Sequence, residues 1–382
     1  MKKFFLVAGE ASGDLLGSKL MKEIKEAQKD AEFVGVGGPL MEEEGLKSIF
    51  NYEELTIMGF VEILPKIPAI LKKIKQTSNE IIKTKPDCII TIDSPDFCFR
   101  VMKKVKNVTS AKKVHLIAPS VWAYREKRAA KISKLYDLLL AILPFEPPYF
   151  TKYGLKTVFI GHPITENKPD FKKKDEINEQ FRDKYDIRKD DKVICTTPGS
   201  RIGEVKKIYP EFIEALNILA TKDKSIVVTI PMTPKTKNIV SEMSKDLKCK
   251  YILVNSDEKK AALLSSNFAL AKSGTNNLEF SLYKIPMIVA YKVNYLSYII
   301  GRLLIKIKFV NLINIILNQP VIAEMIQRDC QGKKLAQKLG ELMENKKLQV
   351  NQINLSQSAL SFLGLDFKES PSKKAAKEIL ES

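Results

Sequence analysis

Four short segments carry most of the residues that can do chemistry. Gly9-Glu10-Ala11-Ser12-Gly13-Asp14 follows an apolar run and opens a helical pattern. Gly9 and Gly13 permit a tight backbone, and a helix start attracts anions. The spacing is not that of a G-x-G-x-x-G dinucleotide loop. Glu10 would repel a phosphate, so a sugar hydroxyl is its better partner; a plain turn with Asp14 as helix cap is the other reading. Ile92-Asp93-Ser94-Pro95-Asp96-Phe97 places a carboxylate after a second apolar run, where it can act as a general base on a hydroxyl. Asp93 and Asp96 also form a D-x-x-D pair, but two hard ligands alone are weak evidence for a metal. Asp, Ser and Pro are ordinary turn residues as well.

Thr197-Pro198-Gly199-Ser200-Arg201 frees backbone N–H groups and offers a guanidinium fork to a diphosphate. Lys272-Ser273-Gly274-Thr275-Asn276-Asn277-Leu278-Glu279 brings hydroxyls for phosphate oxygens, and Glu279 can accept from a ribose diol. Each loop is weak alone. Together they point to a nucleotide-sugar site.

Other chemistries find less support. His115 lies in an apolar run and reads as a core imidazole, whereas His162 in Ile160-Gly161-His162-Pro163 closes the first half of the chain. With one candidate histidine, a Ser-His-Asp triad is poorly supported. The five cysteines are odd in number and none are spaced C-x-x-C, against a disulfide frame or a zinc site. Trp122, the single tryptophan, either stacks on a sugar or fills core.

These loops need strands to aim them. Strands are expected at Phe4–Ala8, Phe33–Val36, Cys88–Ile92, Val114–Ile117, Leu138–Ile142 and Thr157–Ile160. A second series is expected at Val193–Thr197, Ile226–Ile230, Tyr251–Val254, Phe268–Ala271 and Met287–Ala290. Near-continuous apolar runs between helical patterns indicate parallel strands buried on both faces. The fold class is therefore α/β, with two doubly wound Rossmann-like domains facing across a cleft and ligands at the strands' carboxyl ends. Residues 163–192 contain no strand and read as the linker, with a short helix around Asp175–Tyr185. The domains run over 1–165 and 186–345, and a helical tail over 346–382.

The chain has 382 residues, 45% of them apolar, which argues against disorder. No apolar run approaches the roughly 18–20 residues of a membrane span. The start, Met1–Ala8, mimics a signal peptide, but Glu10 and Asp14 follow at once, so it reads as a first strand of a cytoplasmic protein. The net charge is +18, with 55 lysines but only 8 arginines. Residues 66–85 carry six lysines against Glu80 alone, a face suited to anionic partners or simply to water. Met58–Pro65 leads into Ile67, Ile70, Leu71 and Ile74, flanked by lysines. It reads as an interfacial element or acyl-chain groove, or as ordinary buried helix, as does 291–316.

Taken together the segments resemble lipid-A-disaccharide synthases, inverting glycosyltransferases of the GT-B fold. The matching pieces are Val7–Asp14, Gly35–Met41, Met58–Leu64, Ile92–Phe97, Ala118–Tyr124, Leu143–Glu146, Ile160–Pro163, Pro198–Arg201, Ser273–Glu279 and Pro286–Tyr291, collinear over residues 4–330. The resemblance implies transfer from UDP-2,3-diacylglucosamine to 2,3-diacylglucosamine 1-phosphate, giving a β-1,6-linked disaccharide and UDP, with no metal and no cofactor. The first domain would then bind the acceptor and the second the UDP-sugar. Asp93 is implied as base or orienting carboxylate and Glu10 as a second essential acid. Gly199, Ser200, Arg201, Ser273, Gly274, Thr275, Glu279 and Asn314 are implied around UDP. Met58, Phe60, Val61, Ile63 and Leu64 would meet the acceptor, its acyl chains or the membrane. A peripheral place on the inner face of the cytoplasmic membrane, an anionic lipid surface as partner and a dimer exchanging C-terminal parts are also implied; nucleic acid is not. The sequence departs from the family at Ile313, Cys98 and Asn276-Asn277. A nucleotide-sugar epimerase of similar fold, or a non-catalytic basic protein binding nucleic acid or membrane, are the competing readings.

Overall fold

The computed structural model describes residues 2–55, 67–294, 298 and 307–381. It divides into two compact units, Met1–Glu166 with Leu363–Ser382, and Asn167–Phe362. The first unit is built on β1 (Lys3–Ala8), β2 (Glu32–Val36), β3 (Lys47–Ser48), β4 (Cys88–Ile92), β5 (Lys112–Leu116), β6 (Leu138–Ala141) and β7 (Lys156–Phe159). They pair in the order β3-β2-β1-β4-β5-β6-β7, all parallel. The second unit contains β8 (Lys192–Thr197), β9 (Ile226–Pro231), β10 (Lys250–Val254), β11 (Phe268–Lys272), β12 (Met287–Tyr291) and β13 (Ala323–Ile326). Their order is β10-β9-β8-β11-β12-β13, again parallel.

The apolar runs explain the sheets. Phe4, Phe5, Leu6 and Val7 of β1 are fully buried, with helices on both faces of the sheet. Each such side chain contributes roughly 1.5–3 kcal/mol on burial. All eleven expected strands are present, and the expected linker helix forms at Lys174–Lys184. Two strands are additional. β3 is two residues long, and β13 is a half-buried edge strand, so neither carries the apolar run that marks the others.

In each sheet the strand order reverses once, between β1 and β4 and between β8 and β11. Ligands bind at the carboxyl ends flanking such a point. The register Ala8↔Ile92 puts Gly9-Glu10 beside Asp93, and Thr197↔Ala271 puts Pro198–Arg201 beside Lys272-Ser273. All four chemistry-bearing segments therefore sit at a reversal point of their own sheet.

Asp14 has a different task from capping its own helix. The helix Ala11–Ala27 has Glu10 at its N-cap position, and Asp14 lies inside the helix, buried. Its carboxylate accepts from the N–H groups of Gly38, Leu40 and Met41 at 2.9, 3.1 and 3.0 Å. It thus satisfies the orphan donors of the neighbouring helix Pro39–Glu43, where a negative charge is favoured.

The last helix of the chain, Pro371–Glu381, packs on Ala11–Ala27. Leu363 O accepts from His162 N–H at 2.8 Å, and Glu166 accepts from Ser372 N–H at 2.7 Å. His162 is buried there, its Nδ1 accepting from Ile164 N–H at 3.1 Å, and burial pushes its imidazole down to about 4. It is a neutral anchor for the returning chain.

The Asp14 contacts generate a stability test. Asp14→Ala leaves three donors without their acceptor and should lower unfolding free energy in urea by about 1–3 kcal/mol. Asp14→Asn keeps one acceptor oxygen and should lose less. An Asp14→Ala protein as stable as wild type would contradict this role.

Candidate functional site

In the first unit the site is built on a backbone departure. Asp93 and Ser94, directly after β4, both have left-handed dihedrals, with φ of +49° and +43°. Ile117, directly after the neighbouring β5, has φ +77°, which is rarer for a β-branched residue. Each such residue costs of order 1–3 kcal/mol and persists only where surroundings enforce it. Here Asp93 N–H donates to Leu116 O at 3.0 Å, and Ser94 O accepts from Phe97 and Cys98 N–H at 3.2 and 3.0 Å. Pro95 then starts the helix Pro95–Val105. Gly9 completes the arrangement: a Cβ there would lie 2.6 Å from Ser94 Oγ. Only glycine lets the Glu10 loop approach the Asp93 loop this closely.

Asp93 is half-buried, and burial raises its carboxyl above the ordinary 3.8, partly offset by a hydrogen bond from the Ser94 backbone. A desolvated carboxylate is a stronger base, suited to taking a proton from a hydroxyl. Glu10 is exposed on the adjoining loop. Both border or adjoin a groove of about 520 Å³ whose lining includes Gly9, Glu10, Ser94 and Pro95 with Leu55, Ile70 and Leu71. Asp96 turns to Arg128 at 2.9 Å. Among the described residues no cluster of three or more His, Cys, Asp or Glu is placed to hold a metal ion.

The next loops along the sheet are tied by a buried acid, Glu146, which in the sequence is no more than the last residue of the Leu143–Glu146 segment. Glu146 accepts from Trp122 Nε1–H at 3.2 Å and from Leu143 N–H at 3.0 Å, and Phe145 meets the Trp122 ring edge-on. Burial pushes Glu146 up to about 7. Beneath, the Thr91 hydroxyl lies 2.7 Å from His115 Nδ1 and 3.0 Å from the Tyr136 hydroxyl. His115 is fully buried and pushed down to about 3, a neutral core imidazole as its apolar run suggested.

In the second unit, Gly199 has φ +134°, and a Cβ there would come within 3.0 Å of Glu204. Ser200 and Arg201 are exposed on the turn that opens the helix Ile202–Lys222. Glu204, in the first turn, receives Arg201 at 3.3 Å and Lys272 Nζ at 3.0 Å through one carboxylate oxygen. Lys272 also lies 5.6 Å from the centre of the Tyr291 ring. Two cations thus share one carboxylate at the strand-order reversal. Lys272 was visible only as the first residue of its segment, because its role depends on the parallel pairing of β8 with β11.

The Ser273–Glu279 loop is half scaffold, half surface. Gly274 and Thr275 are exposed, whereas Ser273 is buried and donates to Val310 O at 3.2 Å. Asn277 is buried; with its amide turned to satisfy both groups it accepts from Gly274 N–H and from Asn311. Glu279 is ion-paired with Lys259. Asn314 is fully buried: its amide donates to Ile322 O at 2.8 Å and Glu324 at 2.9 Å and accepts from Ile322 N–H at 2.9 Å. Glu324 in turn accepts from Val310 and Asn311 N–H. Asn314 therefore holds the 310–311 backbone on which Ser273 rests. Met58, Phe60, Val61, Ile63 and Leu64 lie outside the described residues.

Comparison with known proteins fits this geometry. The model of the Lipid-A-disaccharide synthetase family matches residues 4–379. A lipid-A-disaccharide synthase of Rickettsia prowazekii is 42% identical over 388 residues, covering 99% of each chain. One of Rhodospirillum centenum is 39% identical, covering 98% of this chain and 93% of its own. Among solved structures, S. aureus MnaA with UDP superposes with a TM-score of 0.62 at 18% identity, covering 100% of this chain and 95% of that one. Acinetobacter baumannii MurG gives 0.61 at 12% identity, covering 100% of both. At these identities the solved structures speak for the fold, two Rossmann-like domains of GT-B type, and not for the chemistry.

The Trp122–Glu146 pair supplies its own readout. Glu146 binds its proton more tightly folded than unfolded, so its contribution to stability is full below about 4.5 and lost as pH rises through about 7. Glu146→Gln should flatten the stability–pH curve across that window and abolish a change in Trp122 emission centred near pH 7. An emission titration unchanged in Glu146→Gln would contradict the pairing.

Proposed function

Because the chain belongs to the lipid-A-disaccharide synthetase family, we propose a division of labour in which Asp93 serves the acceptor and the Arg201–Lys272 pair serves the donor. The protein is a UDP-sugar glycosyltransferase of lipid A disaccharide synthesis. The proposed donor is UDP-2,3-diacylglucosamine and the proposed acceptor 2,3-diacylglucosamine 1-phosphate. The observation that carries this reading is the raised carboxyl of Asp93 on its left-handed turn.

Asp93 takes the proton of the acceptor's 6-hydroxyl as that oxygen bonds to the donor's anomeric carbon from the side opposite UDP. The bond from that carbon to the diphosphate breaks, and inversion gives the β-1,6 linkage. Glu10, on the loop that Gly9 brings against Ser94, accepts hydrogen bonds from acceptor hydroxyls. In the second unit the leaving diphosphate gains negative charge. Arg201, exposed and sharing the Glu204 carboxylate with Lys272, moves to it, and Lys272 remains balanced by Glu204. Gly199, Ser200, Gly274 and Thr275 offer further donors, and Glu279 the ribose contact. Ser273 and Asn314 act by holding the loop. Fixed donors of this kind stabilise the charge that develops on the leaving group.

The acyl chains are placed against Met58, Phe60, Val61, Ile63 and Leu64. Support comes from the segment that follows: Ile67 and Leu71 are 38% and 48% exposed on the helix Ile67–Thr84. Lys72 and Lys75 are exposed on the same helix. An apolar, lysine-bearing helix suits the surface of an anionic membrane. No described helix is long and apolar enough to cross one. Placement on the inner face of the cytoplasmic membrane, and a dimer exchanging C-terminal parts, belong to the same proposal.

Incubation with both diacyl sugars should yield the disaccharide and UDP by mass analysis; no disaccharide in any detergent would reject the reading. Arg201→Ala should weaken UDP binding and slow turnover about 10²–10³-fold. Asp93→Asn should slow turnover while leaving UDP affinity within a few-fold of wild type. Loss of UDP binding in Asp93→Asn, with Arg201→Ala unaffected, would reverse the assignment.

A further inference from the structure

The groove beside Asp93 contains a cation to which nothing above gives a task. Arg100 lies on the helix Pro95–Val105, three residues after Phe97 and four after Asp96, and all three line the groove. That spacing puts them on one helix face. Asp96 does not neutralise Arg100, because its carboxylate is taken by Arg128 at 2.9 Å. Arg128 in turn sits over the Phe99 ring, 5.5 Å from its centre. Arg100 is exposed and has no ion pair among the described residues.

We propose that Arg100 recognises the phosphate monoester of the acceptor sugar and so sets the enzyme's preference for a phosphorylated acceptor. The assignment rests on the acceptor reading given above. An acyl-sugar phosphate presents three chemistries: apolar chains, a reacting hydroxyl and a dianion. The lining of the groove offers a match for each: apolar side chains in Leu55, Ile67, Ile70 and Leu71, the loops of Glu10 and Ser94 at the strand ends, and Arg100 as a cation on the helix. A planar guanidinium matches a phosphate through two parallel hydrogen bonds, which a lysine ammonium does not. In a chain with 55 lysines and 8 arginines, arginine at this position is not explained by general basicity. Other arginines are engaged elsewhere: Arg182 and Arg188 brace the Asp191 turn, and Arg201 lies in the second unit.

The same chemistry could be met by a phospholipid headgroup, so the assay must separate the two sources. Initial rates are measured in neutral detergent, at saturating donor, with the acceptor carrying its phosphate and with the same diacyl sugar lacking it. Wild type should prefer the phosphorylated acceptor. Arg100→Ala should raise KM for that acceptor about 10- to 100-fold, in line with loss of a charged hydrogen-bonded pair. Its KM for the dephosphorylated sugar, its kcat and its UDP affinity should stay near wild type. Arg100→Lys should recover part of the preference.

Equal losses of Arg100→Ala on both acceptors would mark a structural role and overturn the assignment. So would a KM within two-fold of wild type for the phosphorylated acceptor. An effect seen only after adding anionic vesicles, and the same for both acceptors, would assign Arg100 to lipid headgroups instead and equally overturn it. Wild type making no disaccharide from either acceptor would reject the acceptor reading itself, and this assignment with it. Wild-type preference that survives in Arg100→Ala rejects this assignment alone.

Discussion

The left-handed turn of Asp93 and Ser94 at the end of β4 is the constraint on which the first unit's site depends. A strand that continued in extended geometry would carry residue 93 on along the sheet. The turn instead halts the strand, keeps the Asp93 N–H on the neighbouring Leu116 carbonyl, and leaves the side chain partly desolvated. Two non-glycine residues in this conformation are costly, and the cost is met by the surrounding packing. Gly9 supplies the missing Cβ volume, Pro95 the start of the next helix, and the reversal of strand order the open space above them. Asp14, buried one turn into the first helix, fixes the loop after β2 on the other side.

The second unit repeats the topology with the opposite electrostatics. Where the first presents carboxylates, the second presents Arg201 and Lys272 around a single shared carboxylate on Glu204. Two cations balanced by one acid leave a local excess of positive charge at the strand-order reversal, which suits an anionic ligand. Both sheets follow the order 3-2-1-4-5-6, the first adding β7 at its edge, so one topology carries carboxylates at its reversal point in one unit and cations in the other. The sheet order fixes where ligands sit, and the loop residues fix what happens to them.

Much of this was legible in the sequence, for a physical reason. Strands buried on both faces must be apolar throughout, so β1, β4, β8 and β11 announced themselves, and the loops at their carboxyl ends came with them. β3 and β13 did not, because a two-residue strand and a half-buried edge carry no such run. Long-range partnerships were also hidden. Asp14 caps a helix 24 residues away, Glu146 holds Trp122 from the next loop, and Glu204 meets Lys272 only through parallel pairing of distant strands. Asn314 shows the converse: its segment was legible, but its buried amide serves the Val310–Asn311 backbone through Glu324. Residue type and spacing reveal what chemistry a loop offers. Which oxygen receives which donor is settled by the tertiary fold.

The account stands or falls on Asp93 as the base, and the acid limb of the pH–rate profile tests it most directly. The working form is the carboxylate, so turnover should rise with pH, with a midpoint above the ordinary aspartate value of 3.8 because burial disfavours the charge. In Asp93→Asn the remaining turnover should be about 10²–10⁴-fold lower and should lack that limb. A profile with the same acid limb and comparable turnover in Asp93→Asn would place the base elsewhere and contradict the account.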